Sequence, residues 1–276
     1  MRFEFVSRRP AGLERFVESV WFARGRIDYP SERIAPTGST VAVVVLGDPI
    51  RETAADGAGD TLVTGTGFLI GPHDRPVVNE PLGETYCVGV VSTPVGCEAL
   101  FGLRPASVRG RVVDLLEVWP GAAPLRAALL GGGTPDAMLE LVSSALTAGL
   151  RPVPPSVERC ERAVAALEAE PARSIGALAA ELGVSHGHLD KEFVQVVGVG
   201  PRVLARILRL RVVLAGVDVY GPVHWSALAA RMGWFDQSHF IRDFRRHTGV
   251  TPSAYVAAQR RSFTPEQAAP GFVPDG

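Results

Sequence analysis

The apolar positions change period about halfway along the chain. In the first half they come in short β-branched or continuous runs, at 40–46 (TVAVVVL), 61–63, 67–70 and 86–91, each cut off by glycine, proline or aspartate. Such runs predict strands. Further on, 125–130 and 137–150 space their apolar residues three and four apart, which predicts two helices divided by Gly131, Gly132 and Gly133, with Thr134 or Asp136 capping the second. The segment GLRPVPPS at 149–156 then breaks any helix and leaves Ser156 to cap the next one. It divides the chain into 1–150 and 156–262, and 276 residues are enough for each part to fill its own core. Residues 263–276, rich in proline, alanine and glycine, have little to bury and are predicted to be disordered.

Downstream of that boundary the sequence repeats itself. ALAAELGVSHGHLDKEFVQVVGVGP begins at Ala177 and ALAARMGWFDQSHFIRDFRRHTGVTP at Ala227. The offset is 50 through Gly183 and Gly233 and becomes 51 at Phe193 and Phe244, so one residue has been added in the turn. Each copy reads as a helix-turn-helix. An Ala/Leu helix ends at a glycine able to enter the left-handed region, and a capping residue, Ser185 or Asp236, starts the next helix. That second helix buries an i,i+4 pair, Leu189 with Phe193 or Phe240 with Phe244, and leaves its other faces polar. Between the copies, 201–216 has an apolar stripe and an Arg202, Arg206, Arg209 stripe, which predicts one amphipathic helix about 24 Å long. Such a spacer sets two recognition helices near 34 Å apart, about one turn of DNA.

The outward positions carry the candidate chemistry. In the second copy they are Gln237, Ser238, His239 and Arg242. Arginine pairs with guanine O6 and N7, glutamine with adenine N6 and N7, and serine or histidine with either kind of base edge. Arg245 and Arg246 follow a turn later, nearer the phosphates. In the first copy the outward positions are His186, Gly187, His188 and Lys191, and the adjacent Asp190 and Glu192 predict a smaller share of the affinity.

A formal net charge of −1 argues against a nucleic-acid partner only until the chain is divided. Residues 1–150 hold 13 arginines against 17 acidic residues, whereas 201–261 hold 10 arginines against 3, a local +7 that attracts a phosphate backbone. No apolar run reaches the roughly 18 residues of a membrane span, and no secretion signal opens the chain, so a cytoplasmic protein with no membrane partner is expected. Cys87, Cys97 and Cys160 are too widely spaced for zinc or a redox pair, and His73 has no second histidine nearby; neither a metal nor a cofactor is expected.

These residues resemble the AraC/XylS-type regulators across about 155–260, above all in MGWFDQSHFIRDFRRHTGVTPSAYV. The resemblance implies an α+β chain, with a β-rich, cupin-like amino-terminal domain carrying some helices, then an all-α domain of two helix-turn-helix units joined by a long helix. It implies base contacts from Gln237, Ser238, His239 and Arg242, and from Gly187, Asp190 and Lys191 in the first unit, where glycine and aspartate predict weak reading. The amino-terminal half resembles a subset of the same regulators through RIAP at 33–36, LGDP at 46–49, GPHDRP at 71–76 and ALFG at 99–102. The function expected is sequence-specific transcription control on double-stranded DNA, as a homodimer, with a small-molecule effector and RNA polymerase as candidate partners. His73, Arg75, Trp21 and Tyr86 are candidate effector ligands, with core and turn roles as the alternative. Two other readings compete: an enzyme built on Cys87 or Cys97 with His73, and a structural partner that never touches DNA.

Overall fold

Within the computed structural model, residues 3–54, 61–267 and 269–276 are described. The four expected runs become β4, β6, β7 and β9 in a larger set of antiparallel strands: β1 (Glu4–Arg8), β2 (Val17–Gly25), β3 (Ser31–Ile34), β4 (Val41–Val45), β5 (Ile50–Ala54), β6 (Thr61–Thr64), β7 (Gly67–Ile70), β8 (Val77–Pro81), β9 (Thr85–Ser92) and β10 (Val112–Asp114). Two sheets result, with orders β1-β2-β9-β4-β7-β10 and, behind a strand from the far end of the chain, β3-β8-β5-β6. Alternation along each strand assigns its side chains to opposite faces. Val43, Val45, Phe68 and Ile70 of the first sheet meet Ile50, Ala54 and Val77 of the second in an inner core. Val20, Phe22, Val88 and Val90 face the other way. Over them lie α1 (Cys97–Phe101), α2 (Leu115–Val118), α3 (Ala122–Leu129) and α4 (Pro135–Gly149), and Thr134 caps α4 as expected.

The second half is helical: α5 (Ser156–Ala169), α6 (Ile175–Glu181), α7 (His186–Val196), α8 (Pro201–Gly216), α9 (Trp225–Arg231), α10 (Gln237–Thr248) and α11 (Pro252–Ser262). The cores do not divide where the linker does. The cluster beneath the first sheet runs on through Val157, Leu167, Leu178, Leu189, Phe193 and Leu208, so the first helix-turn-helix unit is built onto the amino-terminal domain. The cause is a short linker folded back on α1, where the Arg151 amide donates to the Ala99 carbonyl at 2.9 Å, and α7 rests on the turn at 105–107. The second unit has its own core of Leu210, Val213, Trp234, Phe240, Phe244 and Tyr255.

The tail departs from its expected disorder. Phe272–Asp275 forms β11, antiparallel to β3 at the open edge of the second sheet, with Phe272 opposite Ile34 and Asp275 opposite Ser31. Composition understated what four residues can bury when a sheet edge is waiting. Val273 is enclosed in the second unit's core, the Gln259 side chain donates to the Phe272 carbonyl, and Asp275 pairs with Arg33 and accepts from Ser31. Removing 271–276 is expected to cost about 2–4 kcal/mol, the loss of one buried aliphatic side chain and a short ladder. Urea unfolding of the shortened chain checks this; an unchanged midpoint would show that the strand is ornamental.

Candidate nucleic-acid interface

Both repeats fold as the sequence directs. Gly183 and Gly233 leave α6 and α9 with φ of +70° and +77°, a region that a side chain would disfavour. Ser185 then accepts from the His188 amide at 3.2 Å, and Asp236 from the His239 amide at 2.6 Å, which starts α7 and α10. Leu189, Phe193, Phe240 and Phe244 are fully buried, so the opposite faces of α7 and α10 are turned outward.

On α10, Gln237, Ser238, Arg242 and Arg245 are exposed and His239 is half-buried. The helix's one internal acid is turned inward: the Trp234 indole donates to Asp243 at 3.0 Å, and the His239 ring lies 3.5 Å from the same carboxylate. What remains outside is donors and positive charge. Arg209 does not join that surface, because its guanidinium lies over the Trp234 ring at 5.2 Å and burial lowers its pKa, with Asp243 opposing. On α7 the polar side chains face one another. His188 lies 3.2 Å from Glu192 and His186 3.7 Å from Asp190, which leaves Lys191 exposed as the first unit's outward cation.

Arg246, expected beside phosphates, is engaged elsewhere. Its guanidinium donates twice to the Asp74 carboxylate, at 2.6 and 3.0 Å, and the next residue, His247, donates from Nδ1 to the Asp74 carbonyl at 2.7 Å. The β7–β8 loop thus grips the far end of α10. Burial alone would raise the Asp74 pKa, but hydrogen bonds and charge from Arg246 hold it below the ordinary carboxylate value. Spacing along the chain gives no sign of this contact, since its partners lie 172 residues apart. A second tie joins Arg211 of α8 to Glu18 of β2 at 2.6 Å.

His73 sits at the same seam, its Nδ1 donating to the Gly71 carbonyl at 2.8 Å. Burial lowers the pKa of both His73 and His247 below the ordinary 6.5, against their carbonyl bonds and the nearby Asp74, while Asp243 also opposes it at His247; Arg246 adds to the lowering at His247. Both groups therefore bind fewer protons folded than unfolded. Their stabilisation is complete above the unfolded value and is lost as pH falls through it toward the folded values. The melting temperature is expected to drop from about pH 7 to about pH 5.5, and His247→Gln to flatten that slope. Calorimetry at constant ionic strength measures both, and a profile that is flat or rises on acidification refutes the assignment.

The four candidate effector ligands do not converge. His73 and Arg75 line a cavity of about 30 Å³ at the seam, with Asp74, Ala54, Val77 and Val112. Trp21 and Tyr86 lie on opposite faces of the first sheet: Trp21 packs toward the inner core, whereas the Tyr86 hydroxyl reaches Met138 of α4. Tyr86 is paired with Arg24, three residues beyond Trp21, and an odd separation along a strand inverts the face. The thiols do not suit a nucleophile. Burial pushes Cys87 up to about 12 and Cys97 up to about 11, and Cys97 donates to the Leu103 carbonyl while His73 is held at the seam.

Comparison with known families gives two matches. Residues 178–258 match a family described as "Helix-turn-helix domain", and residues 9–114 one described as "Domain of unknown function (DUF6597)". No curated protein matches the chain in sequence. Among solved structures the chain is similar to ToxT from Vibrio cholerae, with 11% identity and a TM-score of 0.52 over 92% of this chain and 98% of that one. A structure of wild-type ToxT from Vibrio cholerae strain SCE256 bound to an unsaturated fatty acid gives 11% identity and a TM-score of 0.49 over 91% and 94%. At such identity the first likeness speaks for the fold, a β-rich unit followed by helices. Among the described residues, no helix is long and apolar enough to cross a membrane.

Proposed function

We propose that this chain is a DNA-binding transcription regulator of the AraC/XylS type, and that it reads double-stranded DNA by laying α7 and α10 in successive major grooves, with α10 contributing most of the base recognition. One observation carries the reading: α10 turns Asp243 inward to Trp234 and leaves Gln237, Ser238, Arg242 and Arg245 to solvent on the second helix of a helix-turn-helix. The sixteen-residue α8, about 24 Å long, spaces the two units. On α7, where His186 and His188 face carboxylates, Lys191 serves as a backbone contact. The amino-terminal domain modulates binding through the contact of Asp74 with Arg246 and His247, in response to a small-molecule effector or to pairing with a second copy.

Selecting duplexes from a random library with the full chain, then footprinting them, tests this. The expected result is two protected major-groove segments about ten base pairs apart on one face, with affinity that falls steeply as salt rises. Enrichment of no sequence, or protection indifferent to sequence, would refute it.

A further inference from the structure

The two helix-turn-helix units differ by one residue, and the fold shows which it is. The Val184 amide donates to the Ala179 carbonyl and the Trp234 amide to the Ala229 carbonyl, both at 3.0 Å, so Val184 and Trp234 hold the same place after their glycines. In the first unit the cap, Ser185, follows at once. In the second, Phe235 stands between Trp234 and the cap, Asp236.

The added residue is left without a role in the core. An apolar residue just before a cap commonly packs on the residue four places into the helix. Here Trp234 takes that part, 4% exposed and with its ring 5.1 Å from that of Phe240. Phe235 is 93% exposed, the most exposed large apolar side chain among the described residues. It immediately precedes the cap of α10, two and three residues before the exposed Gln237 and Ser238. A protein partner would need a patch, because specific interfaces bury roughly 20–30 residues a side. The other large apolar side chains exposed in 201–262, Val212 and Tyr220, belong to other elements. In a major groove, by contrast, one ring suffices, since thymine presents a single apolar group there, its 5-methyl.

We infer that Phe235 is a specificity-determining residue that packs against a thymine 5-methyl at the edge of the base pairs read by α10. This rests on α10 entering the major groove, as proposed above. Phe235 reads an apolar mark that Gln237 and Arg242 cannot, and the insertion puts a ring there without disturbing the cap.

The test uses the full chain and its best selected duplex, alongside versions in which thymines are replaced one at a time by deoxyuridine, which lacks only the methyl. Loss of one methyl contact should weaken the wild-type chain about fourfold at a single position and leave Phe235→Ala unaffected there. Phe235→Ala should bind the thymine duplex about fourfold more weakly, with an unchanged salt slope, because no phosphate contact is lost. Phe235→Leu should retain part of the discrimination, and equal melting temperatures confirm that both variants fold. If every replacement weakens wild type and Phe235→Ala alike, or if Phe235→Ala matches wild type on the thymine duplex, the inference is overturned. If the wild-type chain selects no duplex, the groove reading fails first and this inference with it.

Discussion

Replacing Arg242 with alanine is expected to cost about 1–3 kcal/mol of affinity for the selected duplex and to remove the preference at a single base pair, most plainly at a guanine. Arg242 is exposed in the middle of α10, one turn beyond Ser238, with no acid on the outer face of the helix to compete for it. A phosphate contact behaves otherwise: its loss weakens all sequences alike and lowers the salt slope by about one. Arg245→Ala should give that second pattern. Anisotropy titrations over single-base variants at two salt concentrations separate the two, and an Arg242→Ala chain that keeps its full base preference would show that α10 is misplaced in the groove.

Phe244→Ala should destabilise the second unit by about 3–5 kcal/mol, the range for emptying a buried aromatic site. The ring is fully buried, with those of Trp225 and Phe240 each 5.6 Å away and that of Tyr255 at 5.7 Å, so nothing small can fill its place. Because the second unit has a core separate from the one the first unit shares, the variant should lose DNA binding while the rest of the chain stays folded. Hydrogen exchange would show 225–262 unprotected and β2, β4, β9, α4 and the Leu204–Leu208 part of α8 unchanged. Uniform loss of protection would mean that the two cores melt as one.

The helix-turn-helix units were legible because their signals are local. Gly183 and Gly233 end helices, Ser185 and Asp236 begin them, and Phe193 and Phe244 lie one turn beyond their partners, all within stretches that a periodicity argument can cover. Of the ten described strands in the first half, β4, β6, β7 and β9 declared themselves as apolar or β-branched runs, whereas β1, β2, β3, β5, β8 and β10, with more polar residues between their apolar ones, did not. What escaped is non-local. Arg246 looked like a phosphate ligand because no sequence pattern points to Asp74, and Trp21 and Tyr86 looked like neighbours because strand register, which sets their opposite faces, is not written in composition. The added residue was visible as a shift in offset, but not its identity, which needed the matching hydrogen bonds of Val184 and Trp234.

β11 completes a sheet that β3 begins. Ser31 and Asp275, bonded in the finished molecule, are 244 positions apart. During translation β3 therefore emerges with one row of amides and carbonyls unclaimed, and it stays so while both helix-turn-helix units are still being synthesised. A bare edge of that kind is a template for any passing strand, another nascent copy included. Closure across so long a loop is also slow to find. The order of manufacture thus makes β11 the finishing stitch of a sheet whose other strands were made more than 190 residues earlier.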